Sequence, residues 1–106
     1  MRTRTAYLHF TRVCRSPSEQ EACYRDLMAK ADLCAAALLE ARRLGSSAQF
    51  SSLFAQVVGR IRDMLDELDN RLLLIDVSRD RRAYERVAAL HAEYEELEYR
   101  RDHLGV

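Results

Sequence analysis

The stretch that decides the fold is residues 54–75, FAQVVGRIRDMLDELDNRLLLI. Its apolar side chains recur at alternating steps of four and three residues: Phe54, Val58, Ile61, Leu65, Leu68, Leu72 and Ile75. This spacing places them on one face of an α-helix, and its persistence through three heptads is typical of helices that pack against other helices. The stretch therefore predicts a long amphipathic helix over about residues 47–76.

A second helix is predicted immediately before this one, over about residues 17–44. Ser16 and Glu19 stand at the two polar positions of a capping box, and Pro17 occupies the first helical position, where its missing N–H is harmless. Gly45 is expected to adopt a left-handed conformation, so that the helix ends at Leu44. Because few residues separate the two helices, we expect them to form an antiparallel hairpin.

A third apolar series indicates a further helix over about residues 80–104. It contains Val87, Leu90, Tyr94 and Leu97 and is out of register with the preceding series. The intervening residues 76–80 include capping residues but neither Gly nor Pro. We expect a short break or kink there, with one continuous long helix as the alternative.

Length and composition agree with a helical architecture. The chain has 106 residues and is 48% hydrophobic, which suits one domain with a modest core. One Pro and three Gly are too few turn formers for a many-stranded sandwich or barrel. The sequence predicts an all-α protein in which the hairpin and a third helix form a coiled-coil-like three-helix bundle over residues 16–106, behind a short N-terminal arm over residues 1–15.

The arm differs from the rest of the chain in charge and pattern. It carries four arginines and no acid, so the remaining residues sum to −4 in a chain whose formal charge is zero. Residues 5–13 alternate polar and apolar, as in a β-strand that pairs with a symmetry mate. A short helix that packs Leu8 and Phe10 on the bundle is the alternative.

One alternative function uses the basic character of this arm. A dimer that presents Arg2, Arg4 and Arg12 has the positive charge needed to contact nucleic acid. The zero formal charge of the whole chain, however, gives no general field to attract a polyanion. The favoured expectation is therefore that nucleic acid is not the partner.

The cysteines and the motifs of the sequence limit the expected compartment and the expected cofactors. The three cysteines include no Cys-x-x-Cys pair, and an odd set of this kind predicts a reduced, cytoplasmic protein. No apolar run approaches the 18 residues of a membrane span. Neither the Glu-x-x-His motif of di-iron bundles nor a glycine-rich phosphate loop occurs, so we expect no metal, no cofactor and no membrane partner.

A short motif in the third helix provides an enzymatic alternative. Residues 86–91, RVAALH, have the Arg-x4-His spacing and resemble the motif of HEPN-type ribonucleases. Those are helical bundles in which paired Arg and His residues of two protomers attack RNA. The resemblance implies that Arg86 steadies the phosphate and that His91 assists proton transfer.

The second predicted helix is also similar to the first helix of helical chorismate mutases. The matching residues are Arg62, Leu65, Leu68, Asp69, Leu72, Leu73 and Arg79. The resemblance implies that Arg62 and Arg79 contact substrate carboxylates. Leu90, however, stands at the position of the catalytic lysine, and only 27 residues follow Arg79 in place of two further helices. The pocket is incomplete, which argues against a mutase.

The apolar stripes carry the favoured functional prediction. Two separately phased series give more apolar surface than one hairpin buries, and such an excess predicts a partner. Basic and acidic residues at opposite parts of the third helix favour pairing of two copies. We predict a non-catalytic protein-interaction module of adaptor, inhibitor or secretion-chaperone type, which binds an unidentified protein, itself or both, with a homodimer favoured. The predicted interface consists of Phe54, Val58, Ile61, Leu65, Leu68, Leu72, Val87, Leu90, Tyr94 and Leu97.

Overall fold

A computed structural model describes residues 16–45, 49, 51–76 and 80–103. Within these ranges the chain forms three helices: α1 (Pro17–Gly45), α2 (Ser51–Leu72) and α3 (Arg81–Asp102). Each helix packs against the other two. The prediction of an all-α three-helix bundle is therefore confirmed, whereas the strand or short helix predicted over residues 5–13 lies outside the described residues.

Contacts between helices give the direction of each one. Arg71, near the end of α2, pairs with Asp26, near the start of α1, so these two helices are antiparallel as the hairpin prediction requires. Arg82, at the start of α3, places its guanidinium carbon 5.8 Å from the ring centroid of Tyr24 in the early part of α1. Consequently α3 runs parallel to α1, and the bundle has an up, down, up topology.

The core contains apolar side chains from all three helices. Leucine, isoleucine and phenylalanine side chains of this kind each contribute about 1.5–3 kcal/mol when fully buried. The α1 contribution is Leu27, Ala31, Cys34, Leu38 and Ala41. These positions repeat at the same three- and four-residue steps as the apolar series of α2, so one continuous interior runs along the bundle.

The start of α1 has the capping box that the sequence predicts. The backbone N–H of Glu19 donates to Ser16 Oγ at 3.2 Å, and the backbone N–H of Ser16 donates to Glu19 Oε1 at 3.4 Å. These two bonds satisfy donors that a helix N-terminus otherwise leaves without a partner. The helix therefore begins at Pro17, as predicted.

Gly45 has a different role from the one that the sequence suggests. The helix continues through it, and no described glycine has a positive φ, so the prediction of a left-handed residue there is wrong. A Cβ at Gly45 would lie only 2.8 Å from Cε1 of Phe54, whose side chain is completely buried. Glycine at this position provides clearance for a core ring and not a special backbone conformation.

Gly59, in the interior of α2, has the opposite environment. A Cβ there would meet nothing within 4 Å. The glycine lowers helix propensity without making room for a neighbour. It is thus a tolerated defect of the helix and not a close crossing point.

The same substitution at these two glycines should change stability in opposite directions. Gly45→Ala should lower the free energy of unfolding by about 1–3 kcal/mol, because the buried Phe54 ring must shift. Gly59→Ala should raise it by about 0.5–1 kcal/mol, through helix propensity alone. Urea unfolding of both variants measures this, and an equal gain at both positions would show that the clearance at Gly45 is not needed.

The break between the second and third helices is confirmed, but it starts earlier than predicted. α2 ends at Leu72 instead of about residue 76, and the continuous-helix alternative is excluded. The N–H groups of residues 73, 74 and 75 donate to carbonyls three residues earlier at 3.2, 3.0 and 3.1 Å, which is the tight turn of a 3₁₀ segment. The Tyr84 hydroxyl of α3 lies 3.1 and 3.0 Å from the carbonyl oxygens of Leu72 and Ile75 and caps this end.

Candidate functional site

The residues predicted to bind a partner lie inside the bundle. Nine of the ten are at most 7% exposed, and Leu72 is half-buried. They pack against one another and against α1 within a single chain. The third helix therefore covers the apolar surface that the α1–α2 hairpin alone would leave exposed. A surface available to a partner must lie elsewhere.

The two residues of the ribonuclease-like motif do not come together. Arg86 Nη2 lies 2.9 Å from Asp32 Oδ1 of α1, and His91 Nε2 lies 2.9 Å from Asp69 Oδ1 of α2. Since their partners belong to different helices, the two side chains extend toward different sides of α3. One phosphate cannot be held between them within this chain.

The remaining alternative sites are equally dispersed. Arg62 is exposed on α2, whereas Leu90 is 2% exposed in the core, where a lysine side chain would be an unpaired buried charge. The basic residues Arg2, Arg4, Arg12 and Arg79 lie outside the described residues. No side-chain arrangement in the described chain therefore resembles a substrate-carboxylate pocket.

The bundle does have an outer groove, which runs between α1 and α2. Two adjoining hollows open along it, on the side where these helices meet in antiparallel orientation. The first hollow is lined by Lys30, Leu33, Met64 and Glu67, and the second by Ala36, Ala37, Glu40, Val57 and Arg60. These nine residues define what we call the α1–α2 groove.

The heptad spacing explains why the groove forms where it does. On α1, residues 26, 30, 33, 37 and 40 each directly precede a core position, and on α2 the same holds for residues 53, 57, 60, 64 and 67. Positions one residue before the core flank the helix contact, so the two rows lie side by side. In a typical coiled coil these flanking positions are charged, whereas several of them are apolar here.

The middle of the groove is apolar and open. Leu33 is 61% exposed, although it lies on a well-packed helix, and half-buried Met64 borders it from α2. Val57 and Ala37 continue this apolar floor into the second hollow. Leu53 extends the same row of α2 and is 44% exposed. Apolar side chains of both helices thus line the two hollows, with Lys30, Glu67, Glu40 and Arg60 beside them.

Ion pairs organise the charged end of the groove. Arg71 pairs with Asp26 across the helices and places Nη2 3.0 Å from Glu67 Oε1, while Lys30 Nζ lies 3.5 Å from the same oxygen. The hydrogen bond from Arg71, together with the positive charge of Lys30, lowers the pKa of Glu67 below its usual value. Glu67 is therefore ionised at neutral pH and presents a fixed negative charge beside Leu33.

The described part of the chain offers few side chains for metal binding or for nucleophilic catalysis. It contains no group of three or more His, Cys, Asp or Glu side chains that could hold a metal ion. Cys34 is buried in the core, and desolvation together with the charge of Glu93 raises the pKa of its thiol, which disfavours the nucleophilic thiolate. None of the described helices is long and apolar enough to cross a membrane.

The sequence did not predict the groove residues, because the apolar seam is the stronger pattern. A usable signal was present: Leu33, Leu53, Val57 and Met64 are apolar at positions that directly precede the seam. Recognising them requires knowing which helices are neighbours, and that is decided by the fold.

In comparisons with known proteins, no protein-family model, no curated protein and no solved structure matches this chain.

Proposed function

We propose that this protein is a non-catalytic protein-interaction module whose α1–α2 groove binds an amphipathic segment of a partner protein. The observation that carries the proposal is the 61% exposure of Leu33 in a hollow that α1 and α2 line together. Single exposed leucines are common on protein surfaces. A leucine that continues into Met64, Val57 and Ala37 forms instead the kind of floor on which a helix buries its apolar face.

The charges along the groove define what a partner segment should look like. Lys30 and Glu67 border the first hollow, and Glu40 and Arg60 border the second. The two hollows are about seven residues of α1 apart, which is about 10 Å at 1.5 Å per residue. We therefore expect a partner segment of two to three helical turns, with apolar anchors at i, i+3 or i+4 and i+7 and charged residues of both signs beside them.

Two leucines on the same helix provide the test. Leu33 lines the groove, whereas Leu39 is 49% exposed on α1 outside the residues that line it. Leu33→Asp should abolish retention of the partner in affinity capture from the native cell, and Leu39→Asp should leave retention unchanged. Both side chains are exposed, so each change should alter the free energy of unfolding by less than about 0.5 kcal/mol.

The comparison of these two variants separates a groove from general stickiness. Circular dichroism on both proteins establishes that each retains its helices. Equal loss of the partner in both variants, or full retention by Leu33→Asp, would contradict the proposal.

A cytoplasmic location and a homodimer stay predictions. If the groove captures a second copy of the chain, light scattering will show an association that Leu33→Asp removes.

A further inference from the structure

We infer that the outer face of α3 binds a second copy of the chain in antiparallel orientation, with two arginines of each copy against two glutamates of the other. This face is the side of α3 opposite its core residues. It is defined by six exposed residues: Arg81, Arg82, Ala88, Ala89, Glu95 and Glu96. The surface is separate from the α1–α2 groove, so the inference does not depend on the proposed function.

The order of residue types along the outer face of α3 repeats every seven positions. Two arginines at residues 81–82 are followed by two alanines at 88–89 and two glutamates at 95–96. Residues seven apart return to nearly the same side of a helix, so the three pairs lie one above another. At 1.5 Å per residue, the arginines and the glutamates each lie about 10 Å from the alanines. The face therefore has a positive end, a neutral middle and a negative end.

Contacts within the chain set these charges apart from their neighbours on α3. Arg86 and Glu93 both form ion pairs with side chains of α1. In the described part of the chain, by contrast, no ion pair involves the arginines or the glutamates of the outer face. Arg82 lies over the ring of Tyr24, 5.8 Å from its centroid, which leaves its N–H donors available. Both ends of the face can therefore bind opposite charges of another molecule.

Antiparallel pairing of two such faces brings opposite charges together. A two-fold axis between Ala88 and Ala89 places Arg81 against the partner's Glu95 and Arg82 against the partner's Glu96, and the reverse. The small alanine side chains allow the two helices to approach to about 8 Å, the short end of the range for packed helices. In a parallel pair, arginine would face arginine and glutamate would face glutamate. The charges thus select a second copy and also its direction.

Two further exposed charges on this side of α3 fit the same arrangement. The two-fold axis places Glu85 against the partner's Ala92, whose small side chain forms part of a shallow hollow. Arg100 follows Glu96 by one helical turn and lies beside the arginine end of the other copy. Each end of the pair then contains three arginines and three glutamates, so neither charge is in excess.

Charge reversal on the full chain tests the pairing by analytical ultracentrifugation, at concentrations from micromolar to millimolar. We expect the unmodified chain to dimerise. The variant with Arg81→Glu and Arg82→Glu and the variant with Glu95→Arg and Glu96→Arg should each be monomeric, because both ends of the face then carry the same sign. An equimolar mixture of the two should form a one-to-one heterodimer in which all four ion pairs are restored. A monomeric unmodified chain, or a mixture that does not associate, would overturn the inference.

The variant with Asp63→Arg and Asp66→Arg is the matched control. It changes the net charge as much as reversal of the two glutamates does, at exposed residues of α2 that belong to no ion pair among the described residues. We expect it to dimerise like the unmodified chain, and circular dichroism should show that every variant retains its helices. Dissociation of this control would overturn the inference, since net charge alone would then explain the monomers. Added salt should weaken the dimer of the unmodified chain, because it screens exposed charges.

Leu33→Asp distinguishes this inference from the proposed function. A dimer formed through α3 should survive Leu33→Asp and should dissociate when Glu95 and Glu96 are reversed. Dissociation by Leu33→Asp, without any effect of the reversal, would assign the dimer to the α1–α2 groove and overturn the inference. Loss of a groove partner in the Leu33→Asp variant, with the dimer intact, would support both proposals. Retention of that partner, with the dimer lost only on reversal, would support the inference and contradict the proposed function.

Discussion

Replacing Phe54 with alanine should lower the free energy of unfolding by about 3–5 kcal/mol. Phe54 is the largest of the completely buried side chains, and its ring packs against the backbone at the end of α1, where Gly45 provides the room. No neighbour can fill the space of a phenyl ring without moving a helix. The loss is thus the transfer free energy of the ring together with that of the cavity left behind.

Leu53→Ala is the matched control for this substitution. Leu53 adjoins Phe54 in the chain but is 44% exposed, so its truncation should cost less than about 1 kcal/mol. In a background that combines Leu33→Asp with Glu95→Arg and Glu96→Arg, which removes any dimer formed through the α1–α2 groove or the outer face of α3, denaturant unfolding should also have the same midpoint at different protein concentrations. If the apolar seam were instead the interface of a dimer, dilution would lower the midpoint, because dissociation would be coupled to unfolding. Such a dependence would contradict the assignment of the seam to the core of one chain.

Ile75→Ala should also be strongly destabilising, with a loss of about 2–5 kcal/mol in the free energy of unfolding. Ile75 lies beyond the end of α2 and still has 0% exposure. Its position depends on the tight turn over residues 73–75 and on the Tyr84 hydroxyl near its carbonyl oxygen. The side chain closes the end of the core from a turn, and not from the helix that its spacing predicts.

Leu74→Ala provides the comparison at this end of the bundle. Leu74 belongs to the same turn and is only half-buried, so we expect a distinctly smaller loss than for Ile75. Both variants keep the turn backbone, which leaves burial as the difference between them. Equal losses would indicate that the turn as a whole, and not the insertion of Ile75 into the core, stabilises the connection to α3.

Local signals predicted the start of α1 well. Ser16 and Glu19 satisfy each other's backbone donors through contacts three residues apart, so no distant residue is needed to form the capping box. The end of the same helix was predicted to within one residue, but the role of Gly45 was predicted wrongly. Gly45 was interpreted through its backbone freedom, yet its role is set by the Phe54 ring, a residue on the following helix. Sequence order alone does not reveal how closely the two approach.

The predicted interface residues were likewise identified from the sequence, while their place in the molecule was not. The seam residues, such as Leu65 and Leu90, were recognised as apolar and important, but the sequence placed them at an interface between molecules. Three helices of one chain bury them, because α3 runs back along the hairpin and covers the stripe that the hairpin alone leaves open. Leu33 and Met64 became a candidate surface only when α1 and α2 were seen to lie side by side.

By itself, the sequence determined that the chain forms helices, the capping box of α1 and the residues that avoid water, because hydrogen bonds within a helix and apolar periodicity act over a few residues. The tertiary structure decided which apolar residues meet inside the chain and which remain outside. In the folded chain α2 ends at Leu72, and Ile75 enters the core from the turn that follows. Arg86 and His91 contact different helices, and the flanking row around Leu33 stays open. These outcomes depend on helix direction and rotation, which are set by packing between distant residues.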